Sequence, residues 1–133
     1  MFKYVFPAVL TPEDNGMYSV DFPDLESCYT CGDNLADALE MAEDVLGLIL
    51  YDLEMDNKPI PLPSPSTSIK IHGNQFVNLV ATDTVKYRKL NDKRAIKKTL
   101  TIPSWLNELA ERSEVNFSAV LQKALKAELN IAE

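Results

Sequence analysis

Few of the residue types that usually carry chemistry occur in this 133-residue chain, which has one His, two Cys and four Gly. A single His leaves a transition-metal site short of ligands, and the lack of a glycine-rich loop argues against a nucleotide-phosphate site. The longest apolar run, Val45 to Tyr51, is seven residues and too short to span a bilayer. The first ten residues also lack the apolar core of a signal peptide. We therefore expect a cytoplasmic protein that uses no metal and no other cofactor.

The two cysteines, Cys28 and Cys31, have a spacing that also occurs in redox pairs and in zinc half-sites. A redox pair would sit at a helix N-terminus, where the helix dipole lowers the pKa of a thiol, but Cys31 precedes the expected helix cap, Asn34. Residues three apart on a strand also point to opposite faces. Reduced thiols packed in a small sheet are the simpler prediction.

Arginine is absent from the first 85 residues, and lysine is scarce there. Residues 1–85 contain 14 Asp and Glu against three Lys, a net charge of −11, whereas residues 86–133 contain ten Lys and Arg against six Asp and Glu, a net charge of +4. This asymmetry predicts an acidic body that repels nucleic acid and attracts basic proteins, joined to a basic arm. An acidic surface that only aids solubility is the alternative, and charge alone does not choose between them.

Alternating apolar residues predict a small antiparallel sheet near the N-terminus. Strands are expected at Phe2–Leu10, at Met17–Phe22 and around Ser27 to Thr30. Pro7 suggests that the first strand has an edge or a bulge. A helix of about 20 residues should follow the cap Asn34 and lie across the sheet, because its apolar residues recur at helical spacing.

The segment after this helix is rich in proline. Alternating prolines from Pro59 to Pro65 favour an extended polyproline II spacer. Ile69–His72 and Gln75–Ala81 are expected to add one or two strands, separated by a turn at Gly73 and Asn74. The first domain should therefore close near Thr82.

The last 37 residues, 97–133, are typical of one strand followed by two helices. The strand Lys97–Ile102 has its apolar residues on one face and polar residues on the other. Pro103 should start a helix that ends near Ser113, and Asn116 should cap a second helix. A unit this short without Cys needs an oligomeric partner to fold. Its strand would pair with the same strand of a second chain, giving a two-fold antiparallel ribbon that fits a major groove.

This pattern resembles the ribbon-helix-helix family of DNA-binding proteins. The residues that match the family's base-contacting positions are Lys97, Thr99 and Thr101. The residues whose backbone N–H groups match its phosphate clamp are Asn116, Phe117 and Ser118. The basic residues expected to contact mostly phosphates are Lys93, Arg94 and Lys98. Lys98 stands where the family usually keeps an apolar residue, and an unrelated helical hairpin behind a basic tail is the alternative.

A second resemblance covers the N-terminal part of the chain. The segments 4–10, 18–28, 32–39 and 59–61 together resemble the HicB antitoxin family. With the C-terminal module the likeness covers nearly the whole chain. It implies that the N-terminal domain is a partial ribonuclease H-like fold that binds and blocks HicA, a small basic ribonuclease that degrades messenger RNA. It also implies that the C-terminal domain represses the operon encoding the pair.

Together these observations predict an α+β protein with two partners, a HicA-type toxin and operator DNA. Residues 1–82 should form the toxin-binding domain, residues 83–95 a basic linker, and residues 96–133 the ribbon-helix-helix domain that makes a homodimer. The residues expected to contact the toxin are Tyr18, Leu25 and Tyr29 at the centre, with Asp24, Glu26 and Asp33 at the rim.

Catalysis is not expected, because the strand Phe2–Leu10 has no carboxylate and Glu40 and Asp44 should lie on the outer face of the helix. The chain should therefore be an antitoxin and autorepressor. A ligand-sensing ribbon-helix-helix repressor without a toxin partner is the main alternative, although the single His and the missing glycine-rich loop argue against its ligand sites.

Overall fold

The computed structural model describes residues 2–131. The outermost residues of the two predicted domains, Met1, Ala132 and Glu133, lie outside the described residues. The chain divides into two compact units, residues 1–93 and 94–133. None of the helices within residues 2–131 has both the length and the apolar character of a membrane span.

The N-terminal unit combines an antiparallel sheet with one long helix. Its elements within residues 2–93 are β1 (Lys3–Pro12), β2 (Tyr18–Asp21), β3 (Tyr29–Gly32), α1 (Leu35–Met55), a 3₁₀ turn (Ser66–Ser68), β4 (Phe76–Asp83) and α2 (Val85–Asn91). The strands lie in the order β3, β2, β1, β4, and each neighbouring pair is antiparallel. The predicted α+β class is confirmed.

Helix α1 covers one face of the sheet and builds the hydrophobic core. Phe6, Ala8 and Leu10 of β1 are buried, as the alternation of β1 predicted. The α1 residues that bury against the sheet recur every fourth position, and they are Ala38, Ala42, Leu46 and Leu50. The odd-numbered residues of β1 lie on the opposite face. The sheet therefore has a face covered by α1 and an opposite face, here called the open face, on which Val5 is exposed although Pro7 and Val9 are buried.

Pro7 lies in the middle of β1 without breaking the sheet. The Thr84 N–H donates to the Phe2 carbonyl at 2.9 Å, so by alternation the even-numbered residues of β1 bond to β4. The backbone of Pro7 therefore faces the other side, where β2 reaches β1 at Val9 to Pro12. Pro7 has no N–H to donate, but β2 does not extend to this position, so the sheet loses no hydrogen bond there. At Pro7, β1 is therefore an edge strand only on the side that faces β2, while its other side is paired with β4.

Two side chains fix the start of α1. Asn34 Oδ1 accepts a hydrogen bond from the Asp37 N–H, and Asp37 Oδ2 accepts one from the Asp33 N–H, each at 2.9 Å. This reciprocal arrangement confirms the predicted cap at Asn34. Gly32 is required just before it, because a Cβ at Gly32 would lie 2.3 Å from the backbone nitrogen of Ala38.

Two predicted strands are wrong in part. The third strand begins at Tyr29 instead of Ser27, because Ser27 takes a left-handed φ of 53° inside a turn. Ile69–His72 forms no strand, because the 3₁₀ turn ends just before it and the His72 carbonyl accepts from the Gln75 N–H at 3.1 Å. The turn at Gly73 and Asn74 is confirmed.

The proline-rich segment is an irregular part of the N-terminal unit, within the residues 1–82 that were predicted to form the first domain. Pro59 to Pro65 has no helix or strand. Ser64 donates from its N–H and from its hydroxyl to the Asp24 carboxylate, at 2.9 and 2.5 Å. These bonds fasten the segment to the turn between β2 and β3.

The predicted basic linker at residues 83–95 contains α2, which packs on α1. Tyr87 of α2 is 5% exposed. Its ring packs directly against Gly47 of α1, where a Cβ atom would lie 2.1 Å from the ring. The Tyr87 hydroxyl donates to Asp44 Oδ1 at 3.1 Å. Burial, followed by this hydrogen bond, raises the pKa of Tyr87 to about 12. Most of the predicted linker thus belongs to the N-terminal unit.

The Glu54 carboxylate on α1 is a second point at which α2 is held against α1. Glu54 accepts hydrogen bonds from the Tyr4 hydroxyl at 2.7 Å, the Thr84 hydroxyl at 2.8 Å and Arg88 Nη2 at 2.8 Å. The Glu54 side chain is 9% exposed. Burial, followed by the bond to Glu54, raises the pKa of Tyr4 to about 12. The Glu54 cluster joins α1, β1 and α2 through one acceptor.

The C-terminal unit contains α3 (Ser104–Arg112) and α4 (Phe117–Glu128), as the sequence predicted. The predicted cap at Asn116 is confirmed, because its Oδ1 accepts from the Ala119 N–H at 3.0 Å. Lys97–Ile102 is not a strand in the single chain. The prediction places its partner strand in a second copy, so the ribbon stays a prediction.

Glu54→Gln should destabilise the protein by about 1–3 kcal/mol, because an amide supplies one acceptor oxygen where three donors converge. Asp52→Asn, an exposed neutralisation on the same helix, should change stability by less than about 0.5 kcal/mol. Urea unfolding followed by circular dichroism measures both. Equal midpoints for the two variants would contradict the anchoring role of Glu54.

Candidate functional site

The open face of the sheet carries a groove of about 850 Å³. Its floor is formed by outward-facing residues of β1, β2 and β3, which are Val9, Thr11, Ser19, Asp21, Tyr29 and Cys31. One wall is the segment after the 3₁₀ turn, with Ile69 and Lys70. A groove with an aromatic side and scattered polar groups is suited to a protein or peptide partner more than to a reaction.

Apart from Tyr29, the residues of the groove floor were not predicted as site residues. The signal was present in β1, where Val5, Pro7 and Val9 make the open face as apolar as the covered one. A sheet face that is solvated usually alternates to polar residues. Pro7 and Val9 are already buried within the chain, so Val5, which is 47% exposed, is the residue of this set that remains available to a partner.

The structure separates the six predicted toxin-contacting residues. Tyr29 is 67% exposed and borders the groove, and Glu26 and Asp33 are exposed in the loops on either side of β3. Tyr18 lies on the covered face, with its ring 6.4 Å from that of Phe76.

Leu25 and Asp24 are unsuited to the roles predicted for them. Leu25 is 8% exposed and belongs to the hydrophobic core, so it cannot form the centre of an interface without unfolding its loop. Asp24 is half-buried and accepts both bonds from Ser64. The sequence pattern placed these residues in a surface turn because it could not show that the turn folds inward.

The described residues of the N-terminal unit form no candidate metal site. Within residues 2–131 no group of three or more His, Cys, Asp and Glu side chains is placed to hold a metal ion. Glu40 is exposed, whereas Asp44, predicted on the outer face, is half-buried because α2 covers it. Cys28 is buried while Cys31 is exposed, and burial, with a smaller contribution from Asp21, raises the pKa of the Cys28 thiol to about 11. A thiol with a raised pKa is a poor nucleophile at neutral pH.

The predicted DNA-contacting residues lie in two segments. The first segment, residues 92–103, has no helix or strand and exposes Lys93, Arg94, Lys97, Lys98, Thr99 and Thr101. The second is the first turn of α4, where Asn116, Phe117 and Ser118 are exposed. The first N–H groups of a helix point along its axis and attract anions, so this turn can receive a phosphate.

Helices α3 and α4 expose the apolar faces that would normally form a core. Among the described residues 94–131, no hydrophobic residue is buried, and Trp105 is 64% exposed. The other large apolar residues that are about half exposed are Leu106, Leu109, Val120, Leu125 and Leu129. Amphipathic helices with open apolar stripes need a further surface to cover them.

Comparison with known proteins matches this arrangement to one family. A family model described as the HicB-like antitoxin of bacterial toxin-antitoxin systems matches residues 5–88, which contain all of the sheet except the first two residues of β1, the whole of α1 and the first half of α2. Antitoxin HicB of Escherichia coli (strain K12) is 44% identical over 64 residues, covering 47% of this chain and 46% of that protein. Antitoxin HicB 1 of Photorhabdus laumondii is 43% identical over 86 residues, covering 65% of this chain and 52% of that protein. The matches span about half the length of these relatives.

The likeness in three dimensions is longer. A solved toxin-antitoxin complex from Streptococcus pneumoniae contains a chain with a TM-score of 0.61 and 28% identity, and the match covers 95% of this chain and 99% of that one. Coverage of this extent reaches into both units. Because the family model matches more than half of its residues, this chain belongs to the HicB-like antitoxin family of bacterial toxin-antitoxin systems.

Proposed function

We propose that the chain binds and inhibits a HicA-type toxin that degrades messenger RNA, and that it represses its own operon by binding operator DNA. The observation that carries the proposal is that the family match falls on the acidic unit. Residues 1–85, with a net charge of −11, contain nearly all of the matched segment. A ribonuclease that grips RNA needs a basic surface, which an acidic protein can cover.

The toxin-facing surface in this proposal is the open face beside β3. Tyr29 supplies an exposed aromatic anchor, and Asp21 is its cross-strand partner on the same face. Glu26 and Asp33 flank it as exposed acids. Aromatic residues concentrate binding energy at interface centres, while charged residues at the rim mainly speed association.

The DNA-binding half of the proposal concerns residues 94–131. Two copies of the chain would pair their Lys97–Ile102 segments as a ribbon and bury the open faces of α3 and α4 against each other. Lys97, Thr99 and Thr101 would then read bases, and the first turn of α4 would hold a phosphate. The half-exposed Trp105 and Leu109 support this dimer, because a second copy is the covering surface that the helices lack.

The proposal also includes a partial ribonuclease H-like fold for the N-terminal unit, a cytoplasmic location and no catalytic role. The scattered acidic groups and the raised pKa of Cys28 support the last point. A ligand-sensing repressor without a toxin is less well supported, because the family is one of antitoxins.

Thr99→Ala should cost about 1–3 kcal/mol of discrimination between operator and random DNA, because it removes a base contact. Lys93→Ala should instead weaken binding to both DNAs by similar factors, because a phosphate contact carries no sequence information. Fluorescence anisotropy with operator and shuffled duplexes at fixed salt measures the two ratios. An unchanged ratio for Thr99→Ala would show that the predicted strand register is wrong.

Tyr29→Ala should weaken toxin binding by about 30-fold, the equivalent of a 2 kcal/mol hot spot, and most of the loss should appear as faster dissociation. Met41→Ala is the control, because Met41 is an exposed apolar residue, at 41% against 67% for Tyr29, and it lies on α1, which packs on the other face of the sheet. Surface plasmon resonance with immobilised toxin measures both rates. If Met41→Ala weakened binding and Tyr29→Ala did not, the toxin would sit on the helical side.

A further inference from the structure

Strand β4 forms an edge of the sheet and lacks the prolines, lysines and bulges that commonly protect an edge strand. It pairs with β1 over eight consecutive positions, from Lys3 opposite Asp83 to Leu10 opposite Phe76, without a bulge. The strand contains no Pro and no Lys, and Asp83 at its end is its one charged residue. Proteins normally block such edges with charges, prolines or bulges, because a flat apolar edge invites another strand.

The alternation of the ladder identifies which groups of β4 point outward. Because Thr84 bonds to Phe2, the even-numbered residues of β4 direct their N–H and C=O groups to β1. The N–H and C=O groups of Val77, Leu79 and Ala81 therefore face away from the sheet. The one hydrogen bond that the described residues direct to this outer edge is a 3.4 Å contact from the Asn78 side chain to the Leu79 carbonyl.

The side chains of the same three residues lie on the open face. Thr82 marks the covered face, since its hydroxyl donates to the Glu43 carbonyl of α1, and the odd-numbered residues point the other way. Leu79 is 56% exposed and its neighbour Val5 is 47% exposed. The edge thus presents both unpaired backbone groups and an apolar strip.

We propose that β4 pairs antiparallel with β4 of a second copy of the chain, about a two-fold axis at Leu79. In this register Leu79 faces its own copy, and Val77 faces Ala81 of the other strand, so all three outward-facing residues are paired. Asp83 falls opposite Gln75, and no like charges meet. Shifting the register by two residues in either direction leaves one of the three without an outward-facing apolar partner.

The charge of the strand favours a second copy over the basic toxin. An edge that recognised a basic strand would carry acids along its length, but β4 has a single acid at its end. The acids proposed to face the toxin, Asp21, Glu26 and Asp33, lie on β2 or beside β3, at the other side of the sheet. The two acidic units repel each other, and salt screens this repulsion. Raising the salt concentration should therefore strengthen the pairing of the two β4 strands.

The test is disulfide trapping in the full-length chain with Cys31→Ser as background, because Cys31 is the exposed native thiol. Leu79→Cys should form a covalent dimer under mild oxidation, because paired residues that exchange hydrogen bonds have Cα atoms about 5.5 Å apart. Ala81→Cys is the matched control, because in this register the Cα atoms of residue 81 in the two chains lie about 13 Å apart. Mixing Val77→Cys chains with Ala81→Cys chains should restore the covalent dimer.

Non-reducing gels should show at least about ten-fold more dimer for Leu79→Cys than for Ala81→Cys, since a disulfide requires close Cα atoms. The yield should rise between about 0.05 and 0.5 M salt, whereas DNA binding falls over that range. No dimer from Leu79→Cys, equal dimer from Ala81→Cys, or a yield that falls with salt would each overturn the proposal. Loss of toxin binding in Leu79→Lys, together with no trapping, would assign the edge to the toxin.

Discussion

The packing of α1 across one face of the sheet is the interaction on which the rest of the N-terminal unit depends. Ala38 and Ala42 are fully buried, and small residues at these positions let the helix lie close to the sheet, most closely where Ala38 meets Gly32 of β3. Close packing makes the two faces of the sheet unequal. The covered face supplies most of the core, and the proposed partner surfaces lie on the open face and on the edge strand β4.

The same helix also determines where the N-terminal unit ends. Gly47 leaves room for the Tyr87 ring, and Glu54 accepts from Arg88, so α2 is held against α1 at two points. The basic segment that follows begins only after α2. The proposed toxin-binding and DNA-binding surfaces thus fall on separate units, and the N-terminal unit is closed by its own contacts at α2. The C-terminal unit lacks such closure, since its helices bury no apolar residue in the single chain.

Elements whose signal is local were predicted well. The α1 stripe and the Asn34 and Asn116 caps each depend on spacing within a few turns or residues. The alternation predicted for β1 holds for Phe6, Ala8 and Leu10, but Pro7 and Val9 on the other face are buried as well. Elements set by distant contacts were not. Helix α2 has seven residues, too few to show a clear hydrophobic periodicity. Its position depends on the contact between Tyr87 and Gly47, which lie far apart in the sequence. The inward fold of Leu25 and the tie between Asp24 and Ser64 likewise depend on residues that the local pattern does not reveal.

The central claim is that toxin inhibition resides in the N-terminal unit, with α2 as its boundary, and that DNA binding requires the C-terminal unit. The most direct measurement compares full-length chain with residues 1–93 in two assays, inhibition of toxin-catalysed RNA cleavage and binding to operator DNA. We predict that residues 1–93 inhibit cleavage as completely at saturation as the full chain and lose operator binding. Uninhibited cleavage with saturating, folded 1–93, or retained operator binding, would contradict the account.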